Sequence, residues 1–378
     1  MKQNKKKIIG IILLGVFIFI FLFLIHMIKH PMGQNLFGYQ WAINTNVNSD
    51  IYEYFSDNGV NDAYCTGYDI GIESLWGYSA QNYSDKEIII AVIDTGVDYR
   101  HIGIRNNIWV NSFEIDGDGV DNDGNGYVDD VYGWNFIDNS SVVYESPDDD
   151  GHGTMIAGII GADGEKCSVK GICRNISVKI QIIKVSKSSK HYCDEKDLIQ
   201  AIQYAENNGA QICNVSMTLK NATDQLKRVM SDSKMLFVVA AGNGTRFGGK
   251  NIDQYKLYPA SYDLDNVITV AGVSWNGELL KTSNYGENSV DVSAPGLNVY
   301  STYCENQYAY DTGTSFAAPI VTGICAYILV YVKNCPAQEV KKILLLNSRN
   351  LSSLNGFVTN GNYIDADLLS AWLLLNNH

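Results

Sequence analysis

Three stretches of the chain carry side chains that together could break an acyl bond. Asp94 ends the run Ile88-Ile-Ile-Ala-Val-Ile-Asp-Thr-Gly, His152 stands in Asp150-Gly-His-Gly-Thr-Met-Ile-Ala-Gly, and Ser315 in Asp311-Thr-Gly-Thr-Ser-Phe-Ala-Ala-Pro. A serine hydroxyl is a weak nucleophile until a base takes its proton. An imidazole serves as that base when a carboxylate fixes its tautomer and stabilises its cation. Each residue alone has a plainer explanation: serine is a preferred helix cap, and a lone Asp or His is more often structural. Together they supply nucleophile, base and orienting acid, the parts needed for acyl transfer through a covalent intermediate.

The surrounding residues predict how these groups are held. Ile88 to Asp94 is continuously apolar, as expected for a parallel strand buried on both faces. Its carboxylate then projects at the carboxyl end of the sheet, where open α/β folds bind ligands. His152 heads a run of small and apolar residues at helical spacing. The Gly313-Thr-Ser turn leads into another such helix, with Pro319 expected in its first turn, where a missing N–H is tolerated. The free amides and positive end of that helix favour an anion beside Ser315. Asn243 follows the apolar run Met235 to Ala241. An asparagine there is commonly a turn residue, and its side chain could also reach a developing oxyanion with the Ser315 amide. Strand and helix alternate through Ile176–Val185, Asp194–Asn208, Gln211–Met217 and Met235–Ala241, which predicts right-handed crossovers. The expected fold class is α/β, a mainly parallel central sheet flanked by helices.

Val92-Ile-Asp-Thr-Gly-Val-Asp, Gly151-His-Gly-Thr and Gly313-Thr-Ser-Phe-Ala-Ala-Pro resemble the three signature blocks of subtilisin-like serine peptidases, in subtilisin's own order of Asp, His and Ser. Val238-Val-Ala-Ala-Gly-Asn243 resembles the family's oxyanion strand, and Tyr258-Pro-Ala-Ser-Tyr and the stretch from Ser283 to Val299 resemble its later blocks. The resemblance implies a subtilisin-like serine endopeptidase that hydrolyses peptide bonds of extracytoplasmic proteins or peptides. It assigns Asp94, His152 and Ser315 to the triad and Asn243 to the oxyanion hole, where losing one donor costs about 10²–10³ in turnover, a magnitude known from subtilisin itself. It also implies that Ser216, Met217 and Thr218, with Ala241 and Gly242, bind substrate and wall the first specificity pocket. The family usually has Ser-Leu-Gly where this chain has Ser216-Met-Thr, and commonly a second histidine where it has Met155. A dedicated processing protease for one secreted precursor would share these features. So would a non-catalytic peptide sensor of the same fold, though a silent scaffold is free to lose its triad.

The chain has 378 residues, 46% of them hydrophobic, and a net charge of −13. That length suits one large domain with a proper core, and the acidity argues against nucleic acid as a partner. Lys2 and Lys5 to Lys7 precede Ile8 to Ile25, a run without charge. At about 1.5 Å per residue it nearly crosses a hydrocarbon core of about 30 Å. A signal anchor or transmembrane segment over residues 1–30 is expected. The alternative is a cleaved signal peptide, against which His26-Met-Ile-Lys-His-Pro offers no small-x-small site. The lysines place that end in the cytoplasm, so the catalytic domain is expected outside the cell membrane, or secreted if the segment is cut. Residues 31–378 are expected to form the peptidase domain without a recognisable separate prodomain, since Tyr39-Gln-Trp-Ala and Gly67-Tyr-Asp-Ile already resemble the entry to the catalytic domain of kexin-like members.

Between Asp116 and Asp130 lies the most acidic stretch, where Asp121, Asp123, Asn125 and Asp129 have the spacing by which a turn folds oxygen ligands round Ca²⁺. Tyr132 stands where an EF-hand has its bidentate glutamate, so a complete hand is excluded. A surface turn is the plain alternative; the density of carboxylates favours a structural Ca²⁺. Asp148 to Asp150 form either a solvated loop or an acidic wall for basic substrates. Of the eight cysteines, Cys167 and Cys173 are near enough in sequence for a disulfide loop, while Cys213 and Cys325 fall in core elements. His191 and Cys193 lack a second pair at zinc spacing.

Overall fold

Apolar runs long enough for one strand each, separated by helical segments, build a single layered α/β sheet. The computed structural model of the chain describes residues 40–43, 67–187, 193–245 and 247–376. The charge-free run Ile8 to Ile25, most of residues 31–66 and His191 lie outside the described residues. The elements in chain order are α1 (Ile72–Gln81), β1 (Ile88–Asp94), β2 (Gly133–Asn135), α2 (Pro147–Gly161), β3 (Val178–Lys184), α3 (Glu195–Asn207), β4 (Ile212–Val215), α4 (Asp224–Asp232), β5 (Leu236–Ala240), β6 (Val267–Val273), β7 (Val292–Pro295), β8 (Val299–Tyr303), β9 (Gln307–Asp311), α5 (Thr314–Tyr331), α6 (Ala337–Leu346), β10 (Arg349–Asn350), β11 (Asn362–Tyr363) and α7 (Ala366–Asn376).

Among the described residues one sheet runs in the order β10-β11-β7-β6-β5-β4-β1-β3-β2. All its pairings are parallel except β10 with β11. β5 and β6 are buried at every residue, as a sheet covered on both faces requires. The neighbours of β1 are β3 and β4, so the connections leave it in opposite directions. Such a reversal opens a crevice at the carboxyl ends of the strands, and Asp94 is the last residue of β1.

α5 is buried along Thr314–Val330 and packs across β4 to β7. A helix apolar on all sides belongs in the middle of a core. It begins at Thr314, so Pro319 stands in the second turn and not the first. The missing N–H therefore leaves the carbonyl of Ser315 without its intrahelical partner. A two-stranded antiparallel hairpin, β8 with β9, lies against α2. There Ser301 Oγ donates to Met155 O at 2.7 Å and Thr302 Oγ1 to Thr154 O at 2.8 Å. The described cysteines, including Cys167 and Cys173, are all free thiols; the sequence expectation of a small disulfide loop is not met.

Candidate active site

Asp94 is fully buried, and its Oδ1 accepts hydrogen bonds from Thr95 N at 2.8 Å and from His152 Nδ1 at 2.6 Å. A carboxylate only accepts, so Nδ1 carries the proton and Nε2 is left as the basic nitrogen. Asp94 Oδ2 has no hydrogen-bond partner among the described residues, so no donor there dilutes the charge presented to His152. Burial pulls the His152 pKa down; the charge and hydrogen bond of Asp94 push it up and prevail, with the charge of Asp311 adding to them. The imidazole thus binds a proton more readily than free histidine does, as a base should, while a quarter of its side chain stays open to solvent (25% exposed).

Local sequence explains the approach of β1 and α2. Gly153 packs so closely on the loop after β1 that a Cβ there would lie 2.1 Å from Gly96 O. Any side chain at 153 would push His152 away from Asp94. Ser146 caps α2 by accepting from Asp149 N at 3.3 Å, and Pro147 opens the first turn. Asp150 is not part of a solvated loop. It is fully buried, accepts from the amides of Glu145 (2.5 Å) and Ser146 (3.0 Å), and pairs with the fully buried Lys184 at the end of β3. Lys184 also reaches Glu145 at 3.0 Å. Asp150 is therefore engaged inside the fold and does not face substrate. Lys179 and Lys184 look alike in the segment Val178–Lys184, and only the fold makes Lys184 the buried one that meets Asp150.

Ser315 is the second residue of α5 and only 9% exposed. The next residue, Phe316, meets the His152 ring edge-on at 5.2 Å between centroids. The two helix ends that carry His152 and Ser315 are thereby in contact. No hydrogen bond joins Ser315 to His152 among the described residues, as is common before substrate tightens such a pair. Asn243 lies beyond β5, and its Oδ1 accepts from Thr314 N at 3.1 Å. A backbone N–H can only donate, so Oδ1 is spoken for and Nδ2 is the group left for a substrate oxygen. Asn214 on β4 braces this arrangement from below, receiving a bond from Thr322 Oγ1 of α5 at 2.9 Å and donating to Ser216 Oγ at 3.1 Å. Ser216, Met217 and Thr218 continue β4, and Ala241 and Gly242 continue its neighbour β5. At Gly242 the second extension comes up against Thr218 of the first. Asn284 clamps the second extension by donating to Ala241 O at 3.0 Å.

In the acidic loop, Asp121 accepts from the amides of Gly124, Asn125 and Gly126, and Asp129 from those of Asp118 and Gly119. Glu114 likewise accepts from the amides of Asn122 and Asp123 at one oxygen and from that of Asp129 at the other. The oxygens that converge belong to Glu114, Asp123 and Asp130, all within 4.8 Å of one another. Asn125 stands between them, donating to Asp123 and Asp130 at 3.1 and 3.2 Å. Three hard, negative oxygen donors with an amide beside them fit a Ca²⁺-type cation. Glu114 and Asp130 lie outside the spacing that singles out Asp121 to Asp129, and only the fold brings them in.

A model of the subtilase family matches residues 85–362. Subtilisin-like protease 1 of Plasmodium berghei (strain Anka) is 33% identical over 297 residues, which cover 73% of this chain and 48% of that protein. The thermophilic serine proteinase of Bacillus sp. (strain AK1) is 31% identical over 302 residues, 76% of this chain and 65% of that one. The chain spans about half the length of the first relative and just under two thirds of the second. Among solved structures, a cold-adapted subtilisin-like serine proteinase superposes with a TM-score of 0.55 at 21% identity, covering 74% of this chain and 88% of that one. The prenylagaramide maturation protease PagA does so with 0.57 at 23%, covering 80% and 94%. These two share the fold. With a family model matching well over half of its length, this chain belongs to the subtilase family, the subtilisin-like serine proteases.

Proposed function

We infer that the protein is a serine endopeptidase acting on extracytoplasmic proteins or peptides. The observation that carries this reading is the 2.6 Å hydrogen bond from His152 to a buried Asp94, on a helix end packed against the one that bears Ser315. Ser315 Oγ attacks the scissile carbonyl while His152 Nε2 takes its proton. Asp94 holds the tautomer and stabilises the imidazolium. Asn243 Nδ2 and the Ser315 amide bind the oxyanion of the tetrahedral intermediate. His152 then passes its proton to the leaving amine, and water hydrolyses the acyl-enzyme by the same route in reverse roles.

The charge-free run Ile8 to Ile25 behind a lysine cluster supports anchoring in the cell membrane with the catalytic domain outside, or secretion if the run is cleaved. Glu114, Asp123 and Asp130 would hold Ca²⁺ in a structural role. The test is labelling of the full chain with a fluorophosphonate, which reacts only with an activated serine. The wild type should label and Ser315→Ala should not; a folded wild type that stays unlabelled would refute the reading.

A further inference from the structure

We propose that Thr218 closes the pocket for the residue donating the scissile carbonyl, so that the enzyme cleaves after small side chains and rejects aromatic ones. This rests on the peptidase reading above. His152 hands its proton to the leaving amine, so the leaving side of the bond lies toward α2 and the β8–β9 hairpin packed on it. The oxyanion faces Asn243. The side chain of the acyl residue, one bond from the attacked carbon, therefore falls on the opposite side, beside the chain that delivers Asn243. That place is the slot between the extensions of β4 and β5, whose pairing with each other ends at Val215 and Val239.

In this chain the slot is bridged. A Cβ placed on Gly242 would stand 3.2 Å from Thr218 Cγ2 and 3.5 Å from its Oγ1, so the threonine reaches across to the facing backbone. Neither wall is free to retreat. Gly242 has φ +83°, and a Cβ there would also meet Asn284 Nδ2 at 2.9 Å, an amide already fixed on Ala241 O. Thr218 is followed by Leu219, which exchanges two backbone hydrogen bonds with Tyr258, at 2.6 and 2.8 Å. Walls held in this way keep the threonine across the slot, which favours a small acyl side chain over a ring. Thr218 itself is solvent-exposed, so replacing it disturbs no core packing.

The experiment uses full-length wild type, Thr218→Gly and Thr218→Val, each titrated with fluorophosphonate for its active fraction. Peptide substrates differ only at the acyl residue: Ala, Leu or Phe. We expect wild type to favour Ala over Phe at least tenfold in kcat/KM, with Leu between. Thr218→Gly should move the ratio toward Phe by about 10–200-fold, the range a methylene-sized change commands in such a pocket. Thr218→Val keeps the bulk without the hydroxyl and should keep the wild-type ratio. Wild type cleaving Phe as readily as Ala, a ratio untouched by Thr218→Gly, or Thr218→Val behaving like glycine would each overturn the pocket assignment. A folded wild type that does not label overturns the peptidase reading instead, and the pocket falls with it.

Discussion

In the proposed mechanism His152 works as a base only while neutral, and the charges around it set the pH at which that holds. Burial favours the neutral form, but Asp94 and, from a greater distance, Asp311 favour the cation. Removing a negative neighbour destabilises the imidazolium and lowers the pKa. Asp311→Asn should therefore shift the acid limb of the kcat/KM profile to lower pH and leave the alkaline plateau in place. Because Asp311 is exposed, the shift should shrink as salt is added; an acid limb that stays put would show that Asp311 does not reach the imidazole. At this scale the approach of Asp94 and His152 was legible from residue types and their glycine neighbours, since Gly96 and Gly153 mark where two backbones touch. The orientation of Asn243 was not legible. It depends on Thr314 N occupying Oδ1, a contact between segments 71 residues apart.

Among the elements, α2 shows most clearly how packing changes the meaning of a sequence. Asp148, Asp149 and Asp150 look alike in the chain, yet only Asp150 is turned inward, against Lys184. Removing one partner of a buried ion pair strands the other charge, at a cost of about 3–5 kcal/mol, whereas replacing both by apolar groups of similar volume is close to neutral. Asp150→Ala should accordingly lower the unfolding free energy by that amount in denaturant titration, and Asp150→Leu with Lys184→Met should recover most of it. If the single variant were as stable as wild type, the pair would contribute nothing. Strand and helix positions were legible to within one or two residues at most boundaries. The exception of consequence is Pro319, a turn deeper in α5 than expected, because the helix starts at Thr314 directly after the extended Gly313.

For the whole molecule, residues well outside the family match take part in the fold. Trp41 is buried, donates Nε1 to Leu297 O at 2.7 Å and stacks edge-on with Trp275 at 6.4 Å, while α1 packs against α7 near the other end of the chain. α5 is long and apolar enough to span a membrane, but 94% of it is buried inside the protein, so it is a core helix. The acidic loop brings together carboxylates that repel one another without a cation. Calcium bound there at a hundredfold excess over its Kd would add about 2.7 kcal/mol to stability. Chelation should therefore lower Tm, and Asp123→Asn, an exposed member of the cluster, should abolish most of that response. Equal Tm values with calcium and with chelator would rule out a bound ion.

What the amino-acid sequence determined by itself was what short-range chemistry can encode. The apolar runs set a parallel α/β sheet, and the glycine-flanked motifs singled out Asp94, His152 and Ser315, with Asn243 after the Ala-Ala-Gly context, as candidate site residues. Tertiary structure alone decided which of several like residues meet. It turned Asp150 to Lys184, gathered Glu114 and Asp130 round Asp123, and left every described cysteine reduced. It also laid Thr218 across to Gly242. The reason is one of distance: local motifs fix a residue's own backbone and burial, but a partner 30 or 150 positions away is chosen only when the sheet order and helix packing bring it within reach.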